Sequence, residues 1–261
     1  DYRKTFKKKD RLFTFNVYKS QRTDNENSTI SQLNNVVASE NIEQRIFNNE
    51  GGDTWSSKLD YIHPITNGKI EFGMKHSNKK IDDDYAVEQF DDVINDWDYI
   101  PGFNNLVLYT ESVSAAYLMF GKKVDKFSFQ LGVRSEFTDV RTELVTTNEI
   151  TNKDYLNFFP SVHLSYKLKK DNSIQLGYSR RIKRPHHYWL LPFFSFTDSR
   201  SNSSGNPNLN PEYIDSYELS HLKKWDKGSL LSSVYYRFTQ DNMDWVTFSD
   251  EEGVTRRMPQ N

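Results

Sequence analysis

Very short turns and very long polar stretches alternate along this chain, a rhythm that few folds accommodate. The short connections are Thr66-Asn67-Gly68, Gly121 to Asp125, Lys169 to Asn172 and Trp225 to Gly228, and Lys7 to Asp10 fits the same series. Between them lie polar stretches at about 23–50, 79–103, 142–153 and 184–212, which read as loops. A soluble sandwich has no reason to keep its short turns at one end. A transmembrane β-barrel does, because its periplasmic turns are short and its extracellular loops long.

Period-two alternation fills the intervals between these connections. Phe127, Phe129, Leu131, Val133, Ser135 and Phe137 fall on one face of a strand over 126–139, and Ser128, Gln130, Gly132, Arg134, Glu136 and Thr138 on the other. Lipid on one side and a wet lumen on the other demand such a split. Similar splits recur at Val162 to Leu168, at Ile174 to Tyr178 and at Val234 to Phe238. Strand 105–120 is ambiguous, with apolar residues on both faces. Asn67-Gly68 between two alternating runs predicts a hairpin, since both residues tolerate positive φ. Tyr117, Phe120, Phe127, Tyr166 and Trp225 cluster beside short turns, where rings form an interfacial girdle.

Composition agrees with a barrel without requiring one. Aromatic residues reach 15% while mean hydropathy is −0.80. No run approaches the ~18–20 apolar residues of a spanning helix, and the start lacks the apolar stretch of a signal peptide. A net charge of −2 argues against nucleic acid as a partner. The alternation yields about eleven strands, with those at about 1–7 and from about 254 cut by the termini. We therefore expect residues 1–261 to form a partial all-β, antiparallel transmembrane barrel domain, both ends truncated.

One stretch carries a family resemblance. It contains Arg181-Ile182-Lys183-Arg184-Pro185, then Leu190-Leu191-Pro192-Phe193, then Gly205-Asn206-Pro207-Asn208-Leu209-Asn210-Pro211-Glu212, then Ser216-Tyr217-Glu218-Leu219. This resembles the R-x-x-R-P, L-N-P-F and G-N-P-x-L-x-P-E elements of TonB-dependent receptors, in the outer-membrane β-barrel family of Bacteroidetes type. Leu191 departs from the family's usual Asn. The resemblance implies about half of a 22-stranded barrel, with the plug and the C-terminal closing strands outside this segment. It also implies bacterial outer-membrane localisation and TonB-dependent uptake of a nutrient such as a siderophore, glycan or peptide. Expected partners are outer-membrane lipid and lipopolysaccharide, the TonB complex acting through the plug, and a surface lipoprotein lid. The alternative is a passive pore or a structural component of a surface complex.

The stretch 184–212 is the candidate contact segment. His186, His187, Tyr188, Trp189, Phe193, Phe194 and Phe196 offer aromatic surface for a ligand or partner, while Pro185, Pro192, Pro207 and Pro211 stiffen the backbone. The plainer reading is that these rings pack together to hold a long loop folded. Arg184, Pro185, Gly205, Asn206, Pro207, Leu209, Pro211 and Glu212 form the family motif. Arg134, Glu136, Arg181 and Arg237 should face the lumen, lining a path, binding the plug or pairing along the wall. Adjacent histidines in extended chain point apart, and no ligand spacing accompanies His186-His187, so no metal is expected there. Asp82-Asp83-Asp84 lacks the calcium-loop pattern and reads as a solvated charge run. Ser220-His221 and Ser161-Val162-His163 lack a third member and a strand-to-helix elbow, so no catalysis and no cofactor is expected.

Overall fold

The computed structural model describes residues 1–33, 41–169, 171–191, 194–198, 201–249 and 254–261, and of 194–198 and 202 the backbone alone. Ten strands build one antiparallel sheet in sequence order: β1 (Tyr2–Thr5), β2 (Leu12–Gln32), β3 (Ile42–Ile65), β4 (Gly68–Asp91), β5 (Asp96–Val124), β6 (Phe127–Leu144), β7 (Glu149–Lys167), β8 (Asn172–Lys183), β11 (Glu212–Trp225) and β12 (Gly228–Gln240). The order skips β9 (Phe194–Asp198) and β10 (Ser201–Ser204), which lie between β8 and β11 in the chain. With β13 (Asp244–Ser249) and β14 (Thr255–Gln260) these make a separate small sheet. The sheet is open along β1 and β12. Eleven barrel strands were expected, and the described residues hold ten. The one anticipated from about 254 is β14, which pairs with β10 and β13 instead.

The five short turns expected from the sequence all fall at one end of the sheet, but two more four-residue turns, 92–95 and 145–148, close hairpins at the other end. Asn67 adopts φ 58°, Asp125 φ 50° and Asp171 φ 55°, the left-handed conformation that Asn and Asp tolerate at tight corners. Gly68 has a different reason: a Cβ there would lie 2.2 Å from the Gly121 carbonyl oxygen of the neighbouring strand. Strand β5 runs on to Val124, so Lys122 and Lys123 belong to a strand and the turn is Asp125-Lys126.

The opposite end differs from expectation. Most of the polar stretches at 23–50, 79–103 and 142–153 are paired strand rather than loop. The β2–β3 ladder continues unbroken to Gln32 opposite Ile42, and β4–β5 reaches Asp91 opposite Asp96. Strands of 21, 24, 24 and 29 residues far exceed the ~9–11 that cross a bilayer. These extensions are polar without being irregular, because both of their faces meet groups other than lipid.

The outward face of β6 marks where lipid ends. Phe127, Leu131, Val133 and Phe137 are exposed on it, and the same face then continues with Asp139, Arg141 and Glu143. From Phe127 to Phe137 the rise is about 26 Å at the usual strand tilt, the height of a barrel's apolar band. Beyond that level the inward face turns apolar: Val140 and Leu144 on β6, Ile81, Tyr85 and Val87 on β4, and Val107 and Tyr109 on β5 are all buried. This also resolves the ambiguous strand, since Val107, Tyr109 and Met119 point inward while Leu106, Leu108, Leu118 and Phe120 point outward. Of the expected girdle, Phe127, Tyr166 and Trp225 are exposed and Phe120 shares their face. Tyr117 does not: it points inward and its hydroxyl donates to Asp60 at 2.7 Å.

Candidate functional site

The segment between β8 and β11 folds inward across the concave face instead of extending outward. Its first part forms a short 3₁₀ turn, His187–Leu190, whose leucine meets Ile81, Tyr109, Val140, Leu209 and Met243 in one apolar cluster, with Trp189 packed at its side. Leu191 joins a second cluster with Tyr85, Val87, Val107 and Leu144. The inward apolar residues of the long strand extensions thus exist to receive this segment.

The motif residues are its fasteners. Arg184 donates to Glu136 Oε2 at 2.6 Å and to Thr138 Oγ1 at 2.8 Å. Arg134 holds the other oxygen of Glu136 at 2.5 Å, so one buried carboxylate serves two guanidiniums. Glu212 Oε1 accepts from Lys183 at 3.1 Å and from the Met243 backbone N–H at 2.8 Å. Leu209 offers its carbonyl to Lys153 Nζ at 2.7 Å while its side chain is fully enclosed. The Gly205 and Asn206 N–H groups donate to the carbonyls of Leu191 and Trp189 at 2.8 and 2.6 Å. Asn206 uses its side chain twice, accepting from the Asn208 N–H at 2.9 Å and donating to the Pro259 carbonyl at 3.1 Å. Gly205 is required by proximity, since a Cβ there would lie 2.6 Å from two backbone oxygens. Pro185 and Pro211 line a small apolar gap beside Leu209, and Pro207 lies in the turn between Gly205 and Leu209.

The aromatic candidates divide. The His186 and His187 rings lie 4.3 Å apart, and Tyr188 packs 4.6 Å from His186. The histidines therefore do not point apart, because the 3₁₀ turn that follows brings both rings to one side. Trp189 meets Trp245 edge-on at 5.6 Å. Phe194 and Phe196 lie in β9, which pairs with β10, while Phe193 lies outside the described residues.

His187 is nearly enclosed and its Nε2 sits 3.1 Å from Glu50 Oε2. Burial, together with the nearby His186 and Lys79 charges, pushes its pKa down to about 4, against a smaller upward pull from Glu50. Asp83 stands opposite Glu50 across β3 and β4. Burial first, then the Glu50 and Asp84 charges, raise it to about 6. The run Asp82-Asp83-Asp84 is thus not uniformly solvated, for Asp83 faces inward and only its neighbours are exposed. No group of three metal-ligating side chains occurs among the described residues.

Arg134, Arg181 and Arg237 line a concavity of about 800 Å³ between β5 and β12, nearer the short-turn end, with His163 and Glu218 among its other walls. Glu136 belongs to the Arg134–Arg184 cluster at its upper edge. Ser220 faces inward and is held by Glu218 at 2.6 Å, whereas His221 occupies the opposite face of β11, so the two cannot act together. The sequence does not single out Glu50, Lys79 and Lys153, whose stretches read as loops, and it presents Asp83 only within a charge run. The alternation Ile81, Asp83, Tyr85, Val87 is the signal that marks Lys79 and Asp83 as inward strand positions.

Comparison with solved structures places the fold among outer-membrane transporters. A copper transporter, OprC, aligns over 95% of this chain and 45% of its own at TM-score 0.60 and 12% identity. The ferric citrate transporter FecA, unliganded, aligns over 95% and 35% at 0.53 and 12% identity. The ferric yersiniabactin uptake receptor FyuA from Yersinia pestis aligns over 91% and 36% at 0.52 and 15% identity. The chain spans less than half the length of each, and its ten-stranded sheet is about half of such a barrel. No curated protein sequence matches it. The sequence model of one family, however, matches residues 4–261, and the chain accordingly belongs to the outer membrane protein beta-barrel family, a wall of a bacterial outer-membrane barrel.

Proposed function

We propose that this wall belongs to a TonB-dependent receptor that imports a small nutrient across the outer membrane. The observation that carries the reading is the inward docking of the described residues between β8 and β11, which are tied to β3, β6 and β7 and obstruct the outer half of the concave face. A passive pore gains nothing from such an obstruction, whereas an energised receptor needs an outer side that is shut until ligand is bound. The fold's likeness to copper, ferric citrate and ferric yersiniabactin transporters supports the class of activity without naming the cargo.

In this reading the rings of His186, Tyr188 and Trp189 face arriving ligand, and the motif residues hold them in place. The arginines Arg181 and Arg237 face a plug contributed by another part of the receptor, through which the TonB complex acts. Lipopolysaccharide surrounds the outward face, and a surface lipoprotein caps the outer strand extensions. The test is nutrient-limited growth and uptake by cells with and without the gene, with and without a collapsed proton gradient. Import that needs both the gene and the gradient supports the proposal. Ligand-independent conductance of the purified protein in planar bilayers, insensitive to the gradient, would establish the passive pore instead.

A further inference from the structure

The five short turns at one end of the sheet carry a charge that the rest of the chain opposes. Segments 7–11, 66–69, 121–126, 167–172 and 223–228 hold 14 of the 34 Lys and Arg but only 4 of the 36 Asp and Glu. That is a net charge of +10 in a chain of −2, which leaves the remainder at −12. Wetting alone does not explain the bias, because Asp and Glu solvate a turn equally well and prevail elsewhere. Charge asymmetry of this kind points to a charged surface as partner. Among the described residues only Lys69 of these cations meets a carboxylate, that of Glu71. The described lysines of the other four turns are exposed.

The positions of the cations indicate what they meet. Strand pairing sets Lys4 opposite Phe13, Lys122 opposite Phe129 and Lys223 opposite Leu230. All three thus lie on the outward, lipid-facing side of the wall, beside the exposed rings of Phe127, Tyr166 and Trp225. Rings and cations together at this level meet lipid headgroups. At the β1–β2 corner the cations are also organised. Arg11 Nε donates to the Tyr61 hydroxyl at 2.7 Å. Its guanidinium lies 4.2 Å from the Phe6 ring and 5.5 Å from the Tyr61 ring, and Lys4 Nζ lies 5.3 Å from Phe6 on the same face. The rings fix the plane of the guanidinium, and its two terminal nitrogens make no hydrogen bond among the described residues. A planar fork held in this way suits a phosphate.

We propose that the short-turn rim binds anionic phospholipid of the periplasmic leaflet, with Lys4 and Arg11 on the phosphate and the acyl chains along the apolar wall. The inference needs only the barrel and its orientation, so it stands or falls separately from what the barrel imports.

The test is equilibrium binding of a fluorescent phosphatidylglycerol to the protein extracted in neutral detergent, read by anisotropy. Unlabelled dioleoylphosphatidylglycerol, dioleoylphosphatidylcholine and glycerol 3-phosphate serve as competitors. Phosphatidylglycerol is expected to compete at least about tenfold better than either of the others, and molar salt should remove most of the preference. Lys4→Gln with Arg11→Gln should weaken phosphatidylglycerol by at least about tenfold. Lys122→Gln with Lys223→Gln, both exposed, should cost several-fold and serves if the first pair does not fold. Arg141→Gln, at the far end of the outward face, should change nothing. Melting in the same detergent identifies folded variants. Equal competition by phosphatidylcholine overturns the proposal. Glycerol 3-phosphate competing as well as the lipid overturns it in favour of a free phosphate. A folded Lys4→Gln, Arg11→Gln protein with unchanged affinity, or an equal loss in Arg141→Gln, overturns it too. Salt-sensitive sedimentation with purified peptidoglycan sacculi, without any lipid preference, would assign the rim to the cell wall instead.

Discussion

Three residues of the docked segment can be tested one at a time. Gly205 has no room for a Cβ between the Trp189 and Leu191 carbonyls, so Gly205→Ala is expected to cost about 1–3 kcal/mol and to expose 184–212 to protease in detergent. Arg184→Met leaves Glu136 with Arg134 alone. The loss should be on the order of 2 kcal/mol, and a double-mutant cycle with Glu136→Gln should show strong coupling. His187 and Asp83 oppose each other in acid. The unfolded histidine binds a proton below its ordinary value near 6.5, and the docked one only below about 4, so docking weakens as pH falls through that window. Asp83 binds its proton earlier when folded, at about 6, so its contribution grows over an overlapping range. Hydrogen exchange of residues 186–191 should therefore change little between pH 7 and pH 5, after correction for intrinsic rates. In Asp83→Asn it should speed up toward pH 5, and in His187→Gln it should slow. Identical behaviour in all three would refute the assignment. The motif was legible in the sequence, but its partners Glu136, Lys153 and Met243 were not, because two come from distant strands and the third from the connection between β12 and β13.

At the scale of a strand, β6 serves two solvents. Its outward face meets lipid from Phe127 to Phe137 and water from Asp139 onward. Leu131→Arg is expected to lower stability by about 2–4 kcal/mol, the cost of a cation in mid-bilayer. Arg141→Leu, on the same face but beyond the band, should change it by less than about 1 kcal/mol. Urea titration of refolding into lipid vesicles measures both, and equal effects would mean that the boundary is misplaced. The alternation of this strand was plain from residue types. Its change of meaning near residue 138 was not, because polar-out and apolar-in above the membrane produces the same period as apolar-out and polar-in within it.

The whole molecule combines a wall and an inward element that obstructs it. Replacing residues 186–208 by a short Gly-Ser linker should free the outer half of the concave face. Single-channel recording should then show larger and more frequent openings than for the intact protein, and unchanged conductance would deny the segment any obstructing role. Local sequence determined the wall: period-two alternation and Asn or Asp at tight corners are near-neighbour properties that each strand carries by itself. Only the tertiary structure decided that polar stretches continue as paired strands, that 184–212 turns inward, and that its histidines sit against Glu50 and Lys79. Those outcomes depend on contacts with other strands, in the case of His187 and Glu50 more than a hundred positions away, and no periodicity within one segment records which distant face will cover it.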